Sequence, residues 1–262
     1  MNRFIETFAK AKQEKRAALV GYITAGDPDL ERSYQILDAA CGAGLDILEL
    51  GIPFSDPTAD GPVIQRAALR SIRSGMTLAK GIELVRRLRQ RHTLPIVLFT
   101  YYNPIIAFGT ERFVTEAVNA GADGALVVDL PSESLQEIGQ YTLPEKPFAL
   151  IRLVSPTTDA ERCRMILQSA DGFVYVVSRR GVTGQGTIDW SLLANEIQTL
   201  RKQTQAPFCI GFGISTPSDV RSAAKIADGV IVGSAIEQII ESQPDNAVSA
   251  VTEFVRQLAA EL

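Results

Sequence analysis

The 262-residue chain has one histidine, His92, one tryptophan and only three cysteines. Cys41, Cys163 and Cys209 are odd in number and far apart, in apolar or helix-like surroundings. They offer no disulfide framework and read as thiols of a reducing compartment. No Cys lies near another Cys or a His at ligand spacing, so the sequence predicts no metal site. His92, in the charged stretch RQRH, reads as a solvated helix-end residue rather than a base or a ligand. No apolar run approaches the ~20 residues that span a bilayer. Positive charge is not in excess either, since 26 Lys and Arg stand against 30 Asp and Glu, a net charge of −4. That balance argues against a nucleic-acid or anionic-membrane surface, and any anionic ligand has to be held by local groups. The opening MNRFIETFAKAKQEKR lacks the apolar core of a secretory leader. Phe4, Phe8 and Ala11 instead recur at helical spacing and predict an amphipathic helix. These absences together predict a cytoplasmic protein.

What the chain does have is a repeat. Eight short apolar runs recur about every thirty residues, the length of one βα unit: AALVGYI, DILELGI, PIVLFTY, GALVVDL, PFALIRLV, GFVYVVS, PFCIGFG and GVIVGS. Most are continuous rather than alternating, as parallel strands covered by helices should be. Between them lie helix-period stretches such as SYQILDAACGAG, KGIELVRRLRQ and WSLLANEIQTL. No linker-like composition divides the chain. The pattern predicts a single (β/α)8 TIM barrel over residues 1–262, with an extra N-terminal helix and an additional C-terminal helix carrying Val248, Val251, Phe254, Val255, Leu258 and Leu262. A doubly wound open sheet is the alternative.

In a barrel the site is built from the loops at the strand C-termini. The densest polar signal there is Glu49-Leu50-Gly51-Ile52-Pro53-Phe54-Ser55-Asp56-Pro57-Thr58-Ala59-Asp60-Gly61-Pro62. Glu49 sits inside an apolar strand, where a carboxylate is costly unless paired or used. It reads either as a general acid/base aimed into the barrel mouth or as a strand-end group turned to solvent. Asp60 reads either as a second site carboxylate or as the N-cap of the helix opened by Gly61-Pro62.

Three glycine-containing strand exits follow late in the chain: Gly181-Val182-Thr183-Gly184, Gly211-Phe212-Gly213-Ile214-Ser215 and Gly233-Ser234. Glycine lets backbone N–H groups approach an anion, and Ser234 is placed to open a helix whose free N–H groups face it. Ser215, before Pro217, also reads as an ordinary helix cap. Three such turns at one end of a barrel favour a phosphate site. A Schiff-base mechanism needs a lysine at a strand end. Here Lys10, Lys12, Lys15, Lys80, Lys202 and Lys225 fall in helical patterns and Lys146 precedes its strand. A phosphorylated substrate handled by carboxylates, with neither metal nor cofactor, is what is left.

The residues themselves resemble the α subunit of tryptophan synthase over essentially the whole chain. The motifs are TAGDPD at 24–29, ELGIPFSDP and ADGPVIQRA within 49–68, TYYNPI at 100–105, DLP at 129–131, LVSPTT at 153–158, SRRGVTG at 178–184, GFGIS at 211–215 and DGVIVGSAI at 228–236. The resemblance implies a lyase of tryptophan biosynthesis that cleaves indole-3-glycerol phosphate, by a retro-aldol step, to indole and glyceraldehyde 3-phosphate. On matching positions it implies Glu49 as acid/base and Asp60 as the carboxylate facing the indole N–H, with Tyr175 and Thr183 beside them. Tyr22 and Phe212 fall on the indole-pocket wall, and Gly184, Gly213, Gly233 and Ser234 on the phosphate site. It further implies an α2β2 heterotetramer with a pyridoxal-phosphate β subunit, no cofactor in this subunit, and Pro53, Asp56 and Asn103 on partner-facing segments. The chain departs from the family pattern at Tyr22, where Phe is frequent, and at Thr58, Val128 and Arg180. A stand-alone lyase releasing free indole shares every one of these site residues. Another phosphate-binding barrel, or a non-catalytic activating partner, fits the Glu49–Asp60 segment less well.

Overall fold

A parallel strand buried on both faces needs uninterrupted apolar sequence, and each apolar run forms strand on that account. The computed structural model describes residues 2–142, 145–155, 157–178, 188–211 and 213–262. Among them the strands are β1 (Ala18–Thr24), β2 (Ile47–Gly51), β3 (Ile96–Thr100), β4 (Gly124–Val127), β5 (Ala149–Leu150), β6 (Arg152–Val154), β7 (Val174–Val177), β8 (Phe208–Gly211) and β9 (Gly229–Val232). The first helices are α1 (Arg3–Gln13), α2 (Leu30–Ala43), α3 (Pro62–Arg73), α4 (Leu78–Arg89), α5 (Tyr102–Phe108) and α6 (Thr110–Ala120). They are followed by α7 (Gln136–Gly139), α8 (Ala160–Gln168), α9 (Trp190–Leu200), α10 (Pro217–Ala224), α11 (Ser234–Ser242) and α12 (Ala247–Ala259).

The strands form one sheet in the order β5-β4-β3-β2-β1-β9-β8-β7-β6, and its pairings are parallel. Its two ends, β5 and β6, are consecutive pieces of the single run PFALIRLV, separated by Ile151. Chain continuity therefore closes the ring, and the predicted TIM barrel is what forms. The fifth run differs from expectation in breaking at Ile151: β5 pairs only with β4, and β6 only with β7.

Strand alternation divides the core in two. Ala18, Val20, Tyr22, Ile47, Val97, Phe99, Leu126, Ala149, Ile151, Phe173, Tyr175, Cys209 and Ile231 point into the barrel, while Leu19, Ile23, Leu48 and Leu50 pack outward against the helices. Helix α1 covers the N-terminal end, as its spacing predicts: Phe4 and Phe8 meet Phe173 edge-on, with ring centroids 6.0 and 6.3 Å apart. Asp123 ties this end together by accepting from Arg3 (2.7 Å), Arg89 (2.8 Å) and the Ile96 N–H (2.8 Å). The additional helix α12 packs on α2 and α11 through Val251, Val255 and Leu258.

Two sequence expectations are corrected. His92 is not solvated: its side chain is only 14% exposed, and Nε2 lies 2.7 Å from Asp38 Oδ1, where the carboxylate draws the ring onto α2. The cap of α10 is Thr216 rather than Ser215, because Asp219 completes a reciprocal capping box with Thr216. The three cysteines are free and buried. Among the described residues no helix is long and apolar enough to cross a membrane, and no group of three or more His, Cys, Asp or Glu is arranged to hold a metal.

Candidate active site

The C-terminal ends of the strands open onto a cavity of about 370 Å³. Glu49 forms part of its floor because strand alternation turns it inward between Leu48 and Leu50, in register with Tyr22 of β1 and Val97 of β3. It is 1% exposed, and its Oε1 has no hydrogen-bond partner. Burial pushes its carboxyl up to about 8. A carboxyl so placed is mostly protonated at neutral pH and can give up a proton to a reacting atom. Tyr22 and Tyr175 flank it, both buried, their phenols raised well above the usual value by burial first and by nearby carboxylates second. Glycines make room for these rings: a Cβ at Gly51 would lie 2.3 Å from the Tyr22 hydroxyl, and one at Gly211 would lie 2.1 Å from that of Tyr175. Phe99 meets Tyr22 edge-on at 5.1 Å. With Ile64 and Ile231 these rings give the cavity a flat apolar wall.

Asp60 reaches the same cavity from the loop after β2. It does not cap α3: the cap is Gly61, with no side-chain bond to the helix N–H groups. Its carboxylate is held instead by Tyr101, whose hydroxyl donates to Asp60 Oδ2 (3.0 Å) and accepts from the Ala59 N–H (3.1 Å). The loop adds its own bonds, from the Thr58 N–H to the Asp56 carbonyl (2.9 Å) and from the Asp60 N–H to the Pro57 carbonyl (3.0 Å). The Gln65 side chain donates to the Asp60 carbonyl at 2.9 Å. Burial raises Asp60 to about 6, and the Tyr101 bond opposes that rise. Near pH 7 the cavity thus holds one carboxyl that is mostly neutral and one that is mostly ionised, the arrangement that divides acid and electrostatic roles between two like groups.

Across the cavity stand Gly213, Gly233 and Ser234. Gly213 has φ +81°, a conformation that L side chains rarely adopt. Gly233 is the cap of α11 and makes no side-chain bond to its N–H groups, so the helix begins uncapped at Ser234. Backbone donors and the positive end of a helix there suit an anion.

The structure thus brings Glu49, Asp60, Tyr22, Tyr175, Gly213, Gly233 and Ser234 to one cavity. Thr183, Gly184, Phe212 and Arg180 lie outside the described residues. Asp56 and Asn103 line a second surface cavity of about 440 Å³ with Phe54, Thr58, Tyr102 and Ile106, and Pro53 lies half-buried beside it. Tyr101 lines this second cavity while its hydroxyl holds Asp60, so one side chain connects the Asp60 carboxylate with that surface. Sequence reasoning missed Tyr101 as a functional residue, although its place at the end of the third run was a usable signal.

Comparison with known proteins identifies the family over nearly the whole chain. The family model described as tryptophan synthase alpha chain matches residues 8–262. A tryptophan synthase alpha chain of Desulfatibacillum aliphaticivorans is 52% identical over 237 residues, 90% of this chain and 88% of that relative. One of Desulfosudis oleivorans is 49% identical over 241 residues, covering 92% and 91%. The crystal structure of tryptophan synthase subunit alpha from Legionella pneumophila superposes with a TM-score of 0.90 at 35% identity, over 100% of this chain and 98% of that one. The chain belongs to the tryptophan synthase alpha chain family, and its reaction is that family's lyase half-reaction, cleavage of indole-3-glycerol phosphate in tryptophan biosynthesis.

Proposed function

We propose that Glu49 carries both proton transfers of this cleavage and that Asp60 stabilises the charge formed between them. Protonated Glu49 gives its proton to indole C3, and the ring becomes a cation with its charge centred on the nitrogen. Asp60, ionised and fixed by Tyr101, faces the ring N–H and stabilises that cation as it forms. The Glu49 carboxylate then takes the proton from the glycerol hydroxyl next to the C3 bond. That bond breaks, its electron pair returns to the ring, and a carbonyl forms. Indole and glyceraldehyde 3-phosphate leave, and Glu49 is protonated again. The cationic ring is the electron sink, so these steps need no cofactor in this subunit.

In this reading Tyr22 and Tyr175 wall the indole, and the family resemblance assigns Phe212 to the same role and Thr183 to the support of the two carboxylates. Gly184, Gly213, Gly233 and Ser234 hold the phosphate. A β subunit carrying pyridoxal phosphate docks on the face of Pro53, Asp56 and Asn103, as an α2β2 assembly in the cytoplasm. The observation that carries the reading is the pair of carboxyls on one cavity, about two pH units apart, with the ionised one anchored by Tyr101. Asp60→Asn tests it. The asparagine amide oxygen can still accept from the Tyr101 hydroxyl, so a residue of merely local importance would tolerate the change. Single-turnover cleavage should instead fall by at least tenfold while glycerol 3-phosphate still binds; near-normal turnover removes Asp60 from the mechanism.

A further inference from the structure

Behind the phosphate turn lies a buried carboxyl that the cleavage steps do not use. Glu237, in the first turn of α11, is fully buried. Its Oε1 accepts from the Thr24 N–H at 2.6 Å, at the end of β1. Its Oε2 is buried with no hydrogen-bond donor to it. Beside it, Asp27 accepts two bonds from Arg70 at 2.7 Å each. Arg70 also donates to Glu241 (2.7 Å), which holds Arg66 through two further bonds at 2.7 and 2.8 Å. Arg66 and Arg70 belong to α3, the helix that begins immediately after Asp60 and Gly61. Glu237 and Glu241 belong to α11, the helix that begins at Gly233-Ser234. The cluster therefore joins the two helices whose N-termini frame the cavity.

We propose that Glu237 is a positioning residue for the cleavage: through Thr24, Asp27 and Arg70 it fixes the first turn of α11 against α3, and so sets the phosphate turn against Asp60. This rests on the assignment of Gly233 and Ser234 to phosphate given above.

The charge balance gives the cluster a second property. Asp27 from the β1 exit and Glu237 and Glu241 from α11 face Arg66 and Arg70 from α3, three carboxyls against two guanidiniums. One proton balances them. Carried by Glu237, it supplies the donor that a hydrogen bond between the Glu237 and Asp27 side chains needs. Burial first, and the charge of Asp27 second, push Glu237 up to about 8. Among the described residues the Tyr22 phenol also interacts electrostatically with Glu237, and burial keeps it protonated through this range. Below pH 8 the carboxyl is neutral and the positive end of α11 is left for the ligand. Above it, a buried carboxylate stands one turn below the N–H groups that hold the phosphate and opposes the dianion.

The test is titration calorimetry of glycerol 3-phosphate between pH 7.5 and 9.5, where the ligand's own phosphate no longer titrates. It is done on Glu49→Gln protein so that Glu49 adds no titration. Affinity should fall by roughly tenfold across this range, and adding Glu237→Gln, which still accepts from Thr24 and donates to Asp27, should hold it constant. In otherwise wild-type protein, Glu237→Ala should raise KM for indole-3-glycerol phosphate by on the order of tenfold with a smaller change in kcat, and Glu237→Gln should restore it. Glu237→Ala with a wild-type KM, or an alkaline decline that persists with Glu237→Gln, overturns the proposal. If Glu237→Ala does not fold, the Glu237→Gln comparison decides alone. Wild-type protein that neither binds glycerol 3-phosphate nor cleaves the substrate would refute the phosphate assignment itself. Wild-type behaviour in every Glu237 variant would refute only this inference.

Discussion

Burying Glu49 in the barrel should cost stability in a way that depends on pH. Its carboxyl titrates near 8 in the folded chain, against 4.5 for the group free in water. Between those values the folded state holds a proton that the unfolded state has lost, so folding stability declines as pH rises through that window. Below pH 4.5 the group is protonated in both states and the cost vanishes. Each pH unit corresponds to 1.36 kcal/mol, so the penalty is about 3 kcal/mol at pH 7 and about 5 kcal/mol above pH 8. Glu49→Gln keeps the volume and never ionises. It should match wild type near pH 4.5, gain about 3 kcal/mol over it at pH 7, and gain about 5 kcal/mol at pH 9. Glu237 titrates in the same window, but it is present in both proteins and cancels in the difference. Urea denaturation at pH 4.5, 7 and 9 reads the gain as a shift of midpoint at constant m-value. A variant within 1 kcal/mol of wild type at pH 9 would show that Glu49 is not a buried neutral carboxyl.

Two further outcomes follow from the site. The acid limb of kcat/KM, which reports the free enzyme, should lie near pH 6, where Asp60 ionises. Tyr101→Phe removes the donor that holds this value down, so the limb should move to higher pH and kcat/KM at pH 6.5 should drop; an unmoved limb separates Asp60 from it. Gly233→Asp adds bulk 3.1 Å from Tyr22 Cβ and a negative charge at the start of α11. Glycerol 3-phosphate binding should fall at least a hundredfold with the fold retained, and unchanged calorimetric titrations would move the phosphate elsewhere.

The strands were legible because parallel strands buried on both faces leave continuous apolar runs. The break at Ile151 was not, since PFALIRLV reads as one run and only its pairing partners divide it. Glu49 stood out because a carboxyl inside such a run has no cheap structural excuse. Asp60 did not: Asp before Gly-Pro fits a helix cap as well as a site. What distinguishes the two is a hydroxyl 41 residues away, on Tyr101. Glu237 left no trace in the sequence, because glutamate in a first helical turn is commonplace. Its meaning comes from Thr24, Asp27 and Arg70, which only the folded chain brings to it. His92 was misread for the same reason, its charged neighbours in sequence being less informative than Asp38 in space.

The claim on which the account turns is that Glu49 moves both protons, and single-turnover cleavage by Glu49→Gln tests it most directly. Excess enzyme is mixed with indole-3-glycerol phosphate and indole is followed, while glycerol 3-phosphate affinity is measured on the same protein. The phosphate turns and the Tyr22–Phe99 wall are untouched by the substitution, so binding should stay near wild type. Loss of a single general acid/base lowers a rate by ~10²–10⁴-fold, and a group that serves two steps should cost at least that. Cleavage within tenfold of wild type, in a variant that binds normally, would contradict the assignment of Glu49 and with it the mechanism.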